Sequence, residues 1–446
     1  MWYNSTRGLK KYKERENVMK KKIQAVIAII MVLCMNLCGC GNAAQTTADT
    51  GSTAQNGETT ESGTTDDGVV QLTVWAEEAN WDVLNQMIES FKQEHAGEAE
   101  FEITLVQNAD AETKNVLLSD IYNGADIFPI PDDQMTSLVA AGALAPVPNA
   151  EEVKAANMED AVAAASIDDV LYAYPMTADN GYFMYYDKRY FTEEDLQTLD
   201  GMLAAAEAAG KKITMDWSSG WYLYAFFGGT GLEFGINEDG VTNHCNWNST
   251  DGAIKGTDIA EAMLAISAHP GFANMTDADF MAGVQDGSVI AGISGVWNEV
   301  EVRKAWGSNY GAVKLPTYTC AGKQVQMSSF KGYKMMGVNY YSEHKDWALK
   351  LADWFTNEQN QALRLAERSQ GPSNKNAAAS DALNEVPAIQ AVIAQSEYGV
   401  LQRVGNSYWE AMTEFGGIMA SGNSSGRDLQ EIMDATVTEI TASTVQ

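Results

Sequence analysis

The stretch 69–106 carries, in order, the patterns of a strand, a helix and a second strand. Residues 69–75 are β-rich and mostly apolar. Asn80 or Asp82 can cap a helix whose apolar side chains recur on one face. Residues 101–106 alternate apolar and polar side chains, as a strand does. This order predicts a parallel βαβ unit and therefore an α/β fold.

Later segments repeat the same two patterns. Residues 173–175 and 289–293 are short apolar runs typical of strands. Apolar side chains at helical spacing mark two further segments: Trp347, Leu351, Trp354 and Phe355, then Leu429, Ile432, Met433, Val437 and Ile440. The order shows no repeat period, so it favours an α/β protein over a repeat array.

The N-terminal region has the pattern of a lipoprotein export signal. Three lysines after Met19 precede an apolar run at 23–37, which is too short to span a bilayer comfortably. The run ends in Leu-Cys-Gly-Cys, where Cys40 after the small Gly39 resembles the acylated cysteine of a bacterial lipobox. A buried helix or a plain membrane anchor would not account for Gly39. We therefore predict a signal peptide at 1–39 and a lipid anchor to the membrane on Cys40.

The segments on either side of this signal are also informative. Residues 1–18 fit no part of an export signal, and purine-rich codons could encode 13–16, so Met19 is the predicted start. Residues 41–68 are mostly small and polar. Such a segment cannot bury enough apolar surface to offset its ordering entropy. We predict that 40–68 forms the lipidated cysteine and a flexible linker.

Charge and length limit what the folded part can be. The chain has a formal net charge of −31, and residues 1–39 contribute +6, so the remainder carries −37. That surface disfavours nucleic acid and broad contact with anionic lipid, and it suits a soluble monomer outside the cell. Roughly 375 residues remain after the linker, enough for two substantial domains. Cys245 and Cys320 could pair, but the sequence leaves this open.

No motif in the chain predicts catalysis. Residues 422–426 match G-x-S-x-G, but no clear strand precedes them and no histidine follows His344. This motif indicates a Gly/Ser loop before the last helix. None of the four histidines has the spacing of a zinc site, and there is no P-loop. The glycines at 228–231 indicate an ordinary turn. We predict no catalytic residue, no metal and no cofactor.

Several segments resemble, in order and spacing, the family 1 extracellular solute-binding proteins of the maltose-binding type. No single segment is diagnostic, and together they cover nearly all of 69–440. They are LTVWA at 72–76, ADIF at 125–128, DD at 132–133, LVAAGAL at 138–144, LYAYP at 171–175, YDK at 186–188, the run from 282 to Trp297, FKG at 330–332 and the helix from Asp346.

The resemblance implies a two-lobe, type II periplasmic-binding-protein-like fold, with crossing segments as a hinge and the ligand in the cleft. Lobe 1 would take 69–176 and 330–384, and lobe 2 would take 180–326 and 388–446. The implied function is capture of an oligosaccharide, with a maltooligosaccharide the best match. The implied partner is the permease of an ABC importer.

Transferred position by position, the resemblance implies a set of ligand-contacting residues at strand ends and helix starts. They are Glu77, Trp81, Asp133, Asp179, Asn180, Trp221, Tyr222, Trp297 and Trp409. Aromatic rings stack on the C–H faces of sugars, while carboxylates and amides bind the hydroxyls. Each aromatic could instead belong to the core, and Asp133 could cap a helix. For Trp297 we favour the ligand.

Two departures leave the identity of the sugar open. Ile130 stands where maltose-binding relatives have Trp, and Gln134 stands where they often have Arg. Two other functions also remain, an exported glycoside hydrolase and a binding protein for a non-sugar solute. A hydrolase would likewise have aromatics and paired carboxylates in a cleft. The order of segments and the lipid tether argue against it.

Overall fold

The computed structural model describes residues 68–237 and 239–443. The predictions for Met19, the signal peptide, Cys40 and the linker therefore lie outside the described residues. The strands are β1 Val69–Ala76, β2 Glu100–Gln107, β3 Ile127–Pro131, β4 Ser166–Ile167, β5 Val170–Leu171, β6 Ala173–Gly181, β7 Phe183–Asp187, β8 Lys212–Met215, β9 Phe234–Ile236, β10 Asn243–Cys245, β11 Phe272–Asn274, β12 Val289–Ser294, β13 Tyr310–Val313, β14 Thr317–Cys320, β15 Lys323–Gln326, β16 Ser329–Val338 and β17 Gly399–Leu401.

Helices separate most of these strands. They are α1 Trp81–Glu94, α2 Thr113–Ser119, α3 Met135–Ala140, α4 Ala150–Ala156, α5 Glu159–Ala164, α6 Leu199–Ala208, α7 Gly220–Phe227, α8 Gly256–Ser267, α9 Asp277–Asp286, α10 Glu299–Trp306, α11 Lys345–Thr356, α12 Glu358–Arg368, α13 Lys375–Ala378, α14 Pro387–Ser396, α15 Ser407–Ala420 and α16 Leu429–Ile440. Among these described helices, none combines the length and apolar character needed to cross a bilayer.

The first βαβ unit forms as predicted. Strands β1 and β2 pair in parallel from Val69 opposite Glu100 to Ala76 opposite Gln107. Helix α1 connects them, with Asn80 at its N-cap position. Its buried side chains are those of the predicted apolar face: Val83, Leu84, Met87, Ile88 and Phe91. The helical spacing therefore identified the face that packs on the sheet.

Two mixed sheets organise the described chain, and we call the parts built on them lobe 1 and lobe 2. The lobe 1 sheet has the order β17-β16-β3-β1-β2, and β6 also pairs with β16. The lobe 2 sheet has the order β11-β8-β12-β7-β13. Only Tyr182 separates β6 in the first sheet from β7 in the second. The predicted α/β, two-lobe architecture is confirmed, whereas the residue bounds given for each lobe stay a prediction.

Each lobe has its own apolar core. In lobe 1, α1 and α11 pack on the sheet through Phe91, Leu351 and Phe355. In lobe 2, the aromatic helix α7 is buried from Tyr222 to Phe227 and packs against α15, which packs in turn against α16. The predicted apolar stripes of the late helices are buried for the most part, at Leu351 and Phe355 in α11 and at Ile432, Met433, Val437 and Ile440 in α16.

The two cysteines of the described chain are free thiols. Cys245 is half-buried in β10, and Cys320 is buried in β14. Burial raises the pKa of Cys245 to about 12 and that of Cys320 to about 11. Both groups are therefore protonated at neutral pH and poorly reactive.

Candidate functional site

Several of the predicted ligand residues lie where strands of the two lobes end. Glu77 follows β1, and Asp132 and Asp133 follow β3 in lobe 1. In lobe 2, Trp297 comes three residues after the end of β12, and the start of α7 follows β8. The carboxyl ends of strands are where open α/β folds place their ligands. Strand direction therefore directs side chains from both lobes toward one region.

Trp297 is the half-exposed aromatic at the end of β12. Its indole lies over Gly295, where an added Cβ would come within 1.9 Å of the ring. Its Nε1 donates to Asp277 Oδ1 at 3.3 Å. The ring of Trp221 lies 5.8 Å away, tilted by 43°, and Lys334 Nζ lies 5.7 Å from the Trp297 centroid. The structure thus brings Trp221 and Trp297 together, with a lysine from lobe 1 against them.

Gln402 connects three of the predicted site residues. Its Oε1 accepts from Trp221 Nε1 at 2.9 Å and from Asn180 Nδ2 at 3.3 Å. Its Nε2 donates to Asp133 Oδ1 at 2.9 Å. Because Asp133 follows a lobe 1 strand and Trp221 begins a lobe 2 helix, this buried amide joins the two lobes. No cap hydrogen bond is formed by the Asp133 side chain.

A charged cluster surrounds Lys334 on the lobe 1 side. Lys334 Nζ donates to Asp110 Oδ2 at 2.8 Å, and the Asp110 amide donates to Glu77 Oε1 at 3.4 Å. Burial alone would lower the pKa of Lys334, but Asp110 and Glu77 raise it above its usual value. Burial, followed by the charge of Asp110, raises the pKa of Glu77. Lys334 is therefore a fixed cation at this end of lobe 1.

Two arginines on α12 extend the cluster. Arg364 Nη1 contacts Gln370 Oε1 at 3.5 Å, and burial lowers the pKa of Arg364 to about 10. Arg368 donates from Nη1 to Glu301 Oε1 and from Nη2 to the Trp297 carbonyl, both at 3.3 Å. Glu301 and Trp297 belong to lobe 2, so Arg368 is a second connection between the lobes.

Several buried polar atoms in this region have no protein partner. Within the described residues they include Asp110 Oδ1, Arg364 Nε and Arg368 Nε. Buried polar groups are nearly always hydrogen-bonded in native proteins. Such atoms are commonly satisfied by ordered water in native proteins.

Comparison with known proteins places the chain in a family. The family described as Bacterial extracellular solute-binding protein matches residues 86–391. The chain belongs to the bacterial extracellular solute-binding proteins. Among its relatives, a galactooligosaccharide-binding protein of Bacillus subtilis (strain 168) is 27% identical over 344 residues, which are 74% of this chain and 78% of the relative.

Solved structures agree with this solute-binding fold. One solved with acarbose superposes with a TM-score of 0.74 at 28% identity, covering 84% of this chain and 99% of the other. A maltodextrin-binding protein from L. casei BL23, solved without ligand, gives a TM-score of 0.69 at 22% identity, with 84% and 100% covered. The second similarity concerns the fold alone.

The remaining predicted residues of this solute-binding protein make contacts within the protein, and their part in ligand binding stays a prediction. Asp179 is buried and accepts from the Gly371 amide, and burial raises its pKa. Tyr222 is buried in the lobe 2 core beside Trp221 and Tyr182. Trp81 donates to the Ala76 carbonyl at 3.2 Å. Trp409 packs on Phe330 and Tyr408. These four lie outside the group that Gln402 and Arg368 hold together.

The two departures from the family pattern have clear structural roles. Ile130 is fully buried in the lobe 1 core. Gln134 accepts from the Lys114 amide at 2.9 Å and donates to the Ala111 carbonyl at 2.8 Å. Both side chains are therefore engaged within the protein.

Sequence reasoning missed Gln402 and the basic residues of the site. Lys334 lies on β16 just after the resembling segment 330–332, and Gln402 follows β17, a strand of three residues. Arg364 and Arg368 are four apart on α12, so they share a helix face. That spacing was the available signal, but paired basic residues on a helix usually indicate only a solvated surface.

The G-x-S-x-G segment does not form a hydrolase elbow. It follows helix α15, which ends at Ala420, and it precedes Asp428, the N-cap of α16. A nucleophile elbow requires a strand before the serine. The motif is the connection between two helices, which agrees with its interpretation as a loop. In the described ranges, no group of His, Cys, Asp or Glu is arranged to hold a metal ion.

Proposed function

We propose that this chain is the ligand-capturing subunit of an ABC importer and binds a neutral oligosaccharide between its lobes. The observation that carries the proposal is the pair of half-exposed indoles, Trp221 near the start of α7 and Trp297 after the end of β12. Gln402 and Asp277 accept hydrogen bonds from these two rings. The B. subtilis relative, named for galactooligosaccharides, and the structure solved with acarbose support the choice of a carbohydrate.

The chemistry of the site suits a sugar ring. An indole face binds the C–H face of a pyranose, while charged and amide groups bind its hydroxyls with strong, directional hydrogen bonds. Lys334 offers such a group on lobe 1 and Asp277 offers one on lobe 2, and both side chains are partly exposed. A ligand that touches both lobes stabilises the closed arrangement, since only that arrangement makes both sets of contacts.

The identity of the sugar is a separate proposal. The family resemblance favours a maltooligosaccharide, whereas the B. subtilis relative is named for galactooligosaccharides. Ile130 and Gln134 are both occupied with packing or backbone contacts here. Binding to maltotriose and to β-1,4-galactotriose, titrated side by side by calorimetry, decides between them. The carbohydrate proposal would be refuted if the protein binds neither of these sugars nor any other neutral oligosaccharide.

The proposal excludes turnover of the ligand. Relatives of this chain are binding proteins, and the G-x-S-x-G segment joins two helices. Incubation of the purified protein with each bound sugar, followed by mass spectrometry, should return the sugar intact. Release of shorter fragments, lost in a Trp297→Ala variant, would instead support the glycoside hydrolase.

We further propose that a lipid on Cys40 holds this protein outside the cell, near its permease. The support is the Leu-Cys-Gly-Cys sequence and the polar segment after it. In cells, Cys40→Ala should move the protein from the membrane fraction to the medium or leave its precursor unprocessed. Cys245→Ala is the matched control, because that thiol lies in the folded part. Membrane retention of Cys40→Ala, with no lipid on the wild-type protein, would contradict the proposal.

A further inference from the structure

A depression on lobe 1 lies away from the interlobe site. Its volume is about 380 Å³, and its walls include Gln71, Thr104, Tyr122 and Tyr341. These residues surround the beginnings of β1 and β3, because Asp126 immediately precedes β3 and also lines the depression. The interlobe residues follow the ends of the same strands. From Asp126 to Asp132 the extended chain covers roughly 20 Å, so the two places are distinct.

Exposed aromatic rings form one wall of this depression. Tyr122 is 72% exposed and Tyr341 is 39% exposed. Their rings meet edge to face with centroids 4.7 Å apart, and Tyr340 lies 5.3 Å from Tyr341. A cluster of exposed tyrosines beside a depression needs an explanation, because single exposed apolar residues are common but clusters usually mark binding surfaces.

One buried side chain holds both rings in place. Asn339 is 2% exposed. It donates from Nδ2 to the carbonyl of Ile121 at 3.0 Å, just before Tyr122, and its Oδ1 accepts from the Tyr341 amide at 3.0 Å. Gly124 lets the same loop pack closely against Leu117, because an added Cβ would lie 2.4 Å from that side chain. The aromatic wall is therefore preorganised rather than loosely attached, which favours binding.

Polar groups line the rest of the depression. Gln71 donates to Glu102 across β1 and β2 at 3.1 Å, and the exposed Glu343 also lines the depression. Protein–protein interfaces are depleted of charge at their centre, so two glutamates around a concave surface argue against a protein partner. They also argue against anionic lipid. Aromatic faces next to carboxylates suit the C–H faces and hydroxyls of a sugar.

We infer that the surface of Tyr122 and Tyr341 is a second saccharide-binding site, which takes a neutral sugar ring independently of the interlobe site. One sugar ring stacks on the exposed face of Tyr122, and the hydroxyls of that sugar donate to Glu102 or Glu343. An acidic sugar is excluded, because its carboxylate would face these two glutamates. The site would hold the protein on neutral glycans while the interlobe site is filled.

The test follows the tyrosine rings directly. The full protein is labelled with ¹³C on its tyrosine rings and titrated with maltotriose and with β-1,4-galactotriose while ring signals are recorded by NMR. We expect the Tyr122 and Tyr341 signals to shift with at least one sugar. The same shifts should persist in Trp297→Ala, in which the interlobe site is impaired. Trigalacturonate should bind this surface at least fivefold more weakly than β-1,4-galactotriose.

Variants separate this site from the interlobe site. Tyr122→Ala should weaken the second binding event at least tenfold and leave the interlobe affinity within twofold, whereas Tyr122→Phe keeps the ring and the binding. Tyr398→Ala removes another exposed tyrosine, one that follows α14, and should change nothing. The inference would be overturned if the Tyr122 and Tyr341 signals of the wild type do not shift at sugar concentrations up to the solubility limit of each sugar. Shifts that disappear in Trp297→Ala would also overturn it. An interlobe site that binds no sugar would refute the proposed function but leave this test intact.

Discussion

At the scale of single residues, Trp297 carries the sharpest prediction. Its ring is half-exposed and held by Asp277, so its removal should cost mainly ligand contacts. We expect Trp297→Ala to weaken oligosaccharide binding by about 2 kcal/mol or more, roughly thirtyfold. The free energy of unfolding should fall by less than the several kcal/mol typical of a buried aromatic. Calorimetric titration and melting curves of the same variant measure both quantities.

A buried tryptophan of lobe 2 provides the control. Trp247 is fully buried and stacks on Phe227 with centroids 4.0 Å apart. Trp247→Ala should cost roughly 3 to 5 kcal/mol of stability, with near-normal affinity in the molecules that still fold. If Trp297→Ala instead behaves like Trp247→Ala, then Trp297 is a core residue.

Asp132 should make the free energy of unfolding fall as the pH rises. Burial, followed by the charge of Asp133, raises the pKa of Asp132 to about 7, from 3.8. The folded state therefore holds a proton that the unfolded state has released between about pH 4 and pH 7. The protonated Asp132 carboxyl therefore contributes to the stability of the folded state at low pH. This contribution is lost as the pH rises through the window. The side chain is 3% exposed, so solvent screens the effect little.

Replacement of this carboxyl should flatten the pH profile. From pH 4.5 to pH 8, the free energy of unfolding of the wild type should fall by roughly 2 to 4 kcal/mol more than that of Asp132→Asn. Urea unfolding at several pH values measures the difference. Asp195→Asn is the control, because hydrogen bonds from Thr192 lower the pKa of this exposed carboxyl. Parallel profiles for the wild type and Asp132→Asn would show that Asp132 does not hold the proton.

At the scale of elements, the segment between β17 and α15 aligns the site through Gln402. This side chain bonds to Asp133, Asn180 and Trp221, which belong to three different elements. Gln402→Ala removes all three hydrogen bonds at once. We expect affinity for the oligosaccharide to fall about tenfold, because the indole of Trp221 loses its orienting partner. Titration calorimetry measures this fall.

Gln395 is a matched control for this prediction. It is equally buried, but it accepts from the Leu315 amide at 2.9 Å and donates to the Met327 carbonyl at 3.2 Å, away from the site. Gln395→Ala should reduce stability by about 1 to 3 kcal/mol and leave affinity unchanged. Equal losses of affinity in both variants would mean that Gln402 acts only through stability.

At the scale of the whole molecule, we expect Arg368 to favour a closed arrangement of the lobes. From α12 in lobe 1 it reaches Glu301 and the Trp297 carbonyl in lobe 2. Without the guanidinium, the closed state loses both contacts while the open state loses neither. We expect Arg368→Ala to enlarge the radius of gyration of the ligand-free protein and to weaken ligand binding several-fold. Solution scattering with and without oligosaccharide measures the change.

The salt bridge between Arg303 and Glu299 supplies the comparison. It has a length of 3.2 Å and lies within α10, so both partners move with lobe 2. Arg303→Ala should leave the radius of gyration unchanged. Saturating sugar should still compact the Arg368→Ala protein, because the ligand supplies its own contacts to both lobes. Identical scattering of Arg368→Ala and the wild type would argue against a role in closure.

The sequence by itself determined the fold class, the first βαβ unit and several later helices and strands. Helical and strand periodicities are local, so the buried face of α1, the strand β12 and the starts of α7 and α15 could be predicted. The order of segments also indicated the two lobes. Trp221, Trp297, Asp133 and Asn180 were predicted from the family resemblance, position by position.

Only the tertiary structure decided which of these residues meet. Gln402 lies 269 positions from Asp133, and Lys334 lies 224 from Asp110. No local pattern encodes contacts of such separation, since they form where chain segments from both lobes cross. The same holds for Tyr222, whose place in a core depends on the packing of α7 against its neighbours. Burial and long-range pairing arise from the packed whole, whereas periodicity arises within each element.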